Sequence, residues 1–204
     1  MLDIVRGFLA AGIISAGFIP LATASNQPSV DFALGTMALE FANSNHFDSI
    51  QLVHDTVMGG RSRGSVESVS DPAGVRFYGQ LSLANNGGFA SAQFRLADAL
   101  PEFAYQRIRL HLAGDGREYQ LRLKTPYIPA GVAYVARFQS NETQAYYDFQ
   151  AGSFVGQFRG RQVRNLPRLN FADVTHISVM LADKNSGLFD IVLYSIDFSS
   201  FQSI

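Results

Sequence analysis

The stretch Arg76-Phe77-Tyr78-Gly79-Gln80-Leu81-Ser82-Leu83 alternates apolar and polar side chains, breaks at Asn85-Asn86-Gly87-Gly88, and resumes as Phe89-Ala90-Ser91-Ala92-Gln93-Phe94-Arg95-Leu96. Successive side chains of a strand point to opposite faces, so this period of two reads as a pair of half-buried β-strands. Asn and Gly tolerate positive φ, and their cluster between two strands predicts a hairpin. The pattern recurs where Arg107-Ile108-Arg109-Leu110-His111-Leu112 leads through Gly114-Asp115-Gly116 into Tyr119-Gln120-Leu121-Arg122-Leu123-Lys124, a second predicted hairpin. Further strands are predicted over 132–139, 145–150, 176–182 and 188–198. Helix signals beyond the N-terminal segment shrink to short turns at 96–102, where Pro101 would stop a helix, and 170–174. Around ten strands without interleaved helices predict an all-β fold, an antiparallel β-sandwich or jelly roll.

Composition agrees and removes several chemistries. The chain of 204 residues suits one domain. Only 16% of it is charged, which a sandwich explains because one side of every strand is buried against the other sheet. A net charge of −1 leaves no global electrostatic footprint for nucleic acid, so no nucleic-acid partner is expected. The absence of cysteine excludes disulfides, thiolate zinc sites, iron–sulfur clusters and cysteine nucleophiles. No cofactor is expected.

The N-terminus differs from the rest. Arg6 precedes an apolar run centred on Phe8 to Leu21, closed by Ala22-Thr23-Ala24. A basic start, a short apolar centre and a small-residue exit make residues 1–24 a signal peptide. The alternative is a retained anchor with membrane association through residues 4–21, but a spanning helix wants about 20 apolar residues, and Gly12, Gly17 and Pro20 interrupt this run. The single Arg and the presence of Asp3 fit a mitochondrial transit peptide badly. The expectation is therefore a sandwich preceded by an apolar signal or anchor helix. The protein is exported (periplasmic or extracellular) if the leader is cleaved and membrane-anchored if it is retained. Residues 25–36 read as a lead-in and 37–204 as the domain.

Candidate chemistry in the domain is sparse. Gly60-Arg61-Ser62-Arg63-Gly64 fits the G-x-S-x-G nucleophile pattern, but that chemistry needs a strand, a tight turn and then a helix. Here the strand-like Ser65-Val66-Glu67-Ser68-Val69-Ser70 follows, so completing a triad with Asp173 and His176 is disfavoured. His54-Asp55 could be a base with its orienting carboxylate, or a strand-end His beside an Asp that bonds its own turn, which is favoured. The four His residues (46, 54, 111 and 176) show no metal-ligand spacing. Asp55, Asp115 and Asp183 could meet around Ca²⁺, although such turn residues more often bond their own backbone. Arg159, Arg161, Arg164 and Arg168 form a basic cluster near Phe154 and Phe158, suited to a carboxylate or phosphate or else simply solvated. Tyr127, Tyr134, Tyr146 and Tyr147 could stack on a sugar or pack a sheet, and the chain has no Trp to help.

His54-Asp55-Thr56-Val57-Met58-Gly59-Gly60-Arg61-Ser62 resembles the D-x-V-M-G-G-x-S opening of the family of complex I intermediate-associated protein 30 (CIA30). The similarity continues in order through Phe77 to Ser82, Asn85 to Ser91, Gly114 to Tyr119, Tyr134 to Phe138, Phe158 to Arg161 and Ala182 to Phe189, covering about 48–198. The resemblance implies a galactose-binding-like jelly roll and a non-enzymatic role. Its best-known eukaryotic members are chaperone-like assembly factors of respiratory NADH:ubiquinone oxidoreductase. The implied partners are proteins, such as respiratory-complex subunits or assembly intermediates, with a carbohydrate or small ligand as the alternative. The positions carried over as a binding site are Asp55, Met58, Gly59, Gly60, Ser62, Asn86, Gly87, Gly88, Phe89, Asp115, Arg161 and Asp183. Gly114, Gly116, Tyr119, Gly160 and Phe189 carry the same motifs. Met58 is the favoured contact, since a flexible thioether on an open loop adapts to a partner.

Overall fold

The computed structural model describes residues 29–31 and 35–200, those at 29, 30, 57 and 58 by backbone alone. The leader predicted over 1–24 lies outside the described residues. Among the described residues, no helix is long and apolar enough to cross a membrane.

Fourteen strands are found among the described residues. They are β1 (Ser29–Asp31), β2 (Thr36–Glu40), β3 (Phe47–His54), β4 (Arg63–Ser70), β5 (Ala73–Leu81), β6 (Ala90–Leu96) and β7 (Arg107–Gly114). The second half comprises β8 (Glu118–Lys124), β9 (Val132–Gln139), β10 (Ala145–Gln150), β11 (Val155–Phe158), β12 (Arg161–Gln162), β13 (His176–Leu181) and β14 (Gly187–Ser199). Two antiparallel sheets result. The first is built around β14, with β7 and then β10 on one side, and β5–β4 and β2–β1 on the other. The second runs β12-β11-β9-β8-β13-β6-β3. β1 falls in the segment read as a lead-in, and its Val30 sits opposite Met37 of β2, so the first sheet takes in part of 25–36.

The core follows from the alternation. Leu121 and Leu123 of β8, Ile177 and Val179 of β13, and Ile108, Leu110 and Leu112 of β7 are fully buried between the sheets. Each such side chain contributes about 1.5–3 kcal/mol of burial. In β14 the buried set is Phe189, Ile191 and Leu193, then Ile196 and Phe198. The phase slips by one residue at a bulge between Leu193 and Ser195. A one-residue slip would otherwise turn every later side chain outward. At that slip β14 exchanges β5 for β2 as its neighbour on one side.

Both predicted hairpins are corrected. β5 and β6 lie in different sheets, and so do β7 and β8. The Asn-Gly and Gly-Asp-Gly segments turn the chain from one sheet to the other. Three more such corners, β3 to β4, β9 to β10 and β13 to β14, sit at the same end of the sandwich, since His54 and Leu181 both pair with Ala90, and Leu181 also pairs with Tyr119.

Candidate functional site

The motif residues gather at this corner end, and their polar groups are turned inward. Asp55 follows β3 in a 3-10 turn over Asp55–Met58 that ends at Gly59, whose φ of 87° is left-handed. The Asp55 side chain is 0% exposed. Its Oδ1 accepts from the Ser62 N–H at 2.9 Å. Its Oδ2 accepts from Ser62 Oγ at 2.5 Å, from the Gly88 N–H at 2.5 Å and from the Phe89 N–H at 3.3 Å. One carboxylate thus joins the β3–β4 corner to the β5–β6 corner, and Ser62 Oγ extends the link by accepting from the Ser82 N–H at 3.0 Å. Two glycines make room. A Cβ on Gly60 would lie 2.3 Å from Asp55 Cγ, and one on Gly87 2.5 Å from Asp55 Oδ2. Burial alone would push the Asp55 carboxyl up, but the donors from Ser62, Gly88 and Phe89 hold it below the usual carboxylate range.

A second assembly locks the other corners. Asp115 accepts from the Arg117 N–H at 3.0 Å, Tyr119 Oη at 3.1 Å, Ser140 Oγ at 3.3 Å and the Asp190 N–H at 2.9 Å. Arg117 donates bidentately to Asp183, through Nε at 2.9 Å and Nη2 at 2.7 Å, and to the backbone carbonyls of Asn185 and Leu188. The pair is largely enclosed, with side chains 14% and 7% exposed. Burial opposes the charge on Asp183, yet Arg117 and the Asn185 donors hold its carboxyl below the usual range. Arg117 is the member of this assembly that the sequence reading left out of the site; the signal was its place in the same motif as Asp115.

The catalytic and metal alternatives lose their geometry. Ser62 is fully buried ahead of a strand, with its hydroxyl spent on Asp55. His176 starts β13, whose far end is the one at the corners, so Ser62 and His176 lie at opposite ends of the sandwich. His54 is no partner of the Asp55 oxygens, because its Nε2 is buried without a hydrogen bond, beside Gly64. Among the described residues, no group of three or more His, Cys, Asp or Glu could hold a metal ion, so the three aspartates do not converge on Ca²⁺. Arg161 is separated from the rest: it lies exposed in β12, while its opposite number Phe158 pairs with Val132 at the end away from the corners. Asn86 is exposed at the β5–β6 corner with φ 58°. The Met58 side chain lies outside the described residues.

Comparison with known proteins gives this arrangement its family. The family model for complex I intermediate-associated protein 30 (CIA30) matches residues 39–193. The chain belongs to the CIA30 family. Sequence comparison with curated proteins finds no match. Among solved structures, the family 11 carbohydrate-binding module of the cellulosomal cellulase Lic26A-Cel5E of Clostridium thermocellum is similar, with a TM-score of 0.59 at 14% identity over 82% of this chain and 96% of that one. A family 11 module from the same organism, in complex with a β-1,3-1,4-mixed-linked tetrasaccharide, gives 0.50 at 14% identity over 74% and 88%. These likenesses show a shared fold, the antiparallel β-sandwich of jelly-roll type.

With the motif carboxylates Asp55, Asp115 and Asp183 occupied inside the corners, the outward sheet faces remain as candidate surfaces. On the first sheet, Tyr146 is 61% exposed and stacks on His111 with ring centres 4.3 Å apart. Beside it Arg109 donates to both oxygens of Asp148, at 2.8 and 3.1 Å. Arg76 of the same sheet bonds Asp190 and Glu67. Arg76, Arg107 and Arg109 there thus have carboxylate partners within 4.0 Å. On the second sheet, the outward rows are Gln51–Gln93–Ser178–Arg122–Val135 and Val53–Ser91–Met180–Gln120–Arg137. At the end away from the corners, a groove of about 1200 Å³ opens beside Arg95, Lys124 and His176.

Proposed function

We propose that this CIA30-family chain is a non-catalytic, chaperone-like binding module that recognises a protein partner during assembly of a membrane complex, in keeping with the complex I intermediate association in the family's name. One observation carries this reading: the motif side chains of Asp55, Ser62, Asp115 and Asp183 are engaged in hydrogen bonds that hold the sheet corners together. What such a molecule offers is surface. The leader-like segment 1–24 supports a site of action across or on a membrane, exported if it is cleaved and anchored if it is retained. The test is affinity purification of the full chain, cross-linked in native membranes. Recovery of respiratory-complex subunits is the expected result; binding to glycans with no protein partner overturns it.

A sugar-binding reading has its own observation. Tyr146 presents an exposed ring beside the fixed Arg109–Asp148 pair, an apolar face flanked by polar groups. Binding of a mixed-linked glucan that disappears in Tyr146→Ala would favour it over protein assembly.

A further inference from the structure

The outward face of the second sheet has a chemical bias that the first lacks. Core-facing Tyr119, Leu121 and Leu123 of β8 alternate with Gln120, Arg122 and Lys124, which point away from the core. This side is recessed: Gln120 is 5% exposed, Ser91 4% and Ser178 4%, although none belongs to the core. The marginal cations are compensated, Arg137 by Glu118 at 2.7 Å and Arg95 by Asp48 at 3.5 Å. Among the described residues, Arg122 and Lys124, in the middle, have no carboxylate within 4.0 Å.

Their hydrogen bonds go to amides instead. Arg122 Nη1 donates to Gln120 Oε1 at 2.9 Å. Lys124 Nζ donates to Gln93 Oε1 at 2.6 Å, and Gln93 Nε2 donates on to Gln51 Oε1 at 3.4 Å. Each of these amide oxygens thereby already accepts one bond, while most of the guanidinium, ammonium and amide N–H groups stay available, so the face offers donors in excess of acceptors. Burial pushes both Arg122 and Lys124 down, Arg137 adding to the effect on the first and Arg122 to that on the second. Half-buried cations without counter-charge carry a desolvation cost that an arriving anion offsets.

We propose that this face binds an extended acidic segment of a protein partner, its carboxylates held by Arg122 and Lys124. The proposal rests on the protein-binding reading above and names the partner's chemistry. A carboxylate only accepts, which matches a field of donors. Arg122 and Lys124 are alternate residues of one strand, and alternate side chains of an extended peptide repeat at the same spacing, about 6.5–7 Å. The outward rows contain no Phe, Tyr or Trp on which a pyranose ring could stack, which separates a peptide from a uronate sugar.

The test is calorimetric titration of the full chain with a short peptide of alternating Glu and Ala. Binding is expected for this peptide and not for its Gln counterpart, with affinity falling as NaCl is raised. The double substitution Arg122→Gln, Lys124→Gln should weaken it by about tenfold or more, while Arg137→Gln, whose cation is already compensated, changes it little. Thermal melts of the double variant confirm that it is folded. Equal binding of the Gln peptide, no effect of the double variant, or tighter binding of oligogalacturonate than of the Glu peptide overturns the proposal. A membrane partner that the double variant retains in full overturns this site alone. Peptide binding with no partner recovered from membranes overturns the assembly reading alone.

Discussion

The corner end and the outward face of the second sheet handle charge in opposite ways. At the corners, Asp55 is fully buried and ringed by four donors, and Asp183 meets a bidentate Arg117. On the sheet face, Arg122 and Lys124 are drawn partly out of water and meet only amide oxygens. A satisfied buried charge fixes a chain path, because removing it strands its donors. An unsatisfied one is poised for something outside the chain. The buried motif carboxylates therefore fix how the sandwich is built, while the face proposed to bind a partner is centred on Arg122 and Lys124, which lie outside the motif segments.

The largest test of this contrast is Asp55→Ala. It leaves the Ser62, Gly88 and Phe89 N–H groups without their acceptor. At roughly 1–3 kcal/mol for each buried orphan, with partial rehydration, the loss is about 3 kcal/mol or more. For a chain of this size that lowers Tm by on the order of 10 °C. Differential scanning calorimetry reads it directly. A variant of unchanged Tm that has lost ligand binding would move Asp55 from the architecture to the site and collapse the distinction.

Gly87→Ala comes next. A Cβ 2.5 Å from Asp55 Oδ2 displaces the carboxylate from its donors, at about 1–3 kcal/mol as for other overpacked sites. Gly60→Ala presses on the same group from the other side, at 2.3 Å from Cγ. Both are expected to be rescued poorly by Asp55→Asn, whose amide still occupies the same space. Chemical denaturation of the single and paired variants measures that coupling.

How much of this was legible in the sequence follows from what is local. The alternation of 107–112 and 119–124 placed two strands closely. Asp115 and Asp183 do accept from their own turns, at the Arg117 and Asn185 N–H groups, but Asp55, read as bonding its own turn, instead reaches Ser62, Gly88 and Phe89. Sheet membership was not legible. Asn85 to Gly88 has the same turn chemistry whether the chain returns beside itself or crosses to the other layer, and the choice is made by partners more than 90 residues away, such as Leu81 with Gly187. The donor-rich face was hidden for the same reason. Gln51, Gln93, Arg122 and Ser178 come from four strands and become one row only through the register. Arg117 was visible as a motif neighbour, but its reach to Asp183 spans 66 positions.

Acidification should sharpen the contrast. His46, His54 and His176 are held below the ordinary imidazole value, chiefly by burial. Their folded forms resist protonation, so stability present above about pH 6.5 declines as pH falls below it, because the unfolded chain takes up the protons. Asp55 and Asp183, also held low, hold their contribution down to the ordinary carboxylate range near pH 4 and lose it as pH falls further. Two stages are expected in a Tm–pH profile, and Asp55→Asn should flatten the second while leaving the first.

The smallest effect is the most discriminating. Removing a charge from the corners destabilises, whereas removing one from the sheet face should not. In Arg122→Gln the desolvation cost of an uncompensated cation goes, and so does its repulsion with Arg137. What is lost is one hydrogen bond to Gln120, worth about 0.5–1.5 kcal/mol net. The two terms oppose each other, and the expected change in stability lies within about 1 kcal/mol of zero. The same holds for Lys124→Gln, which gives up a bond to Gln93 and relieves repulsion with Arg122. A loss as large as that of Asp55→Ala would mean that these cations also hold the sandwich together. Unchanged stability with lost affinity for an acidic peptide leaves the two regions as distinct as their hydrogen bonds make them.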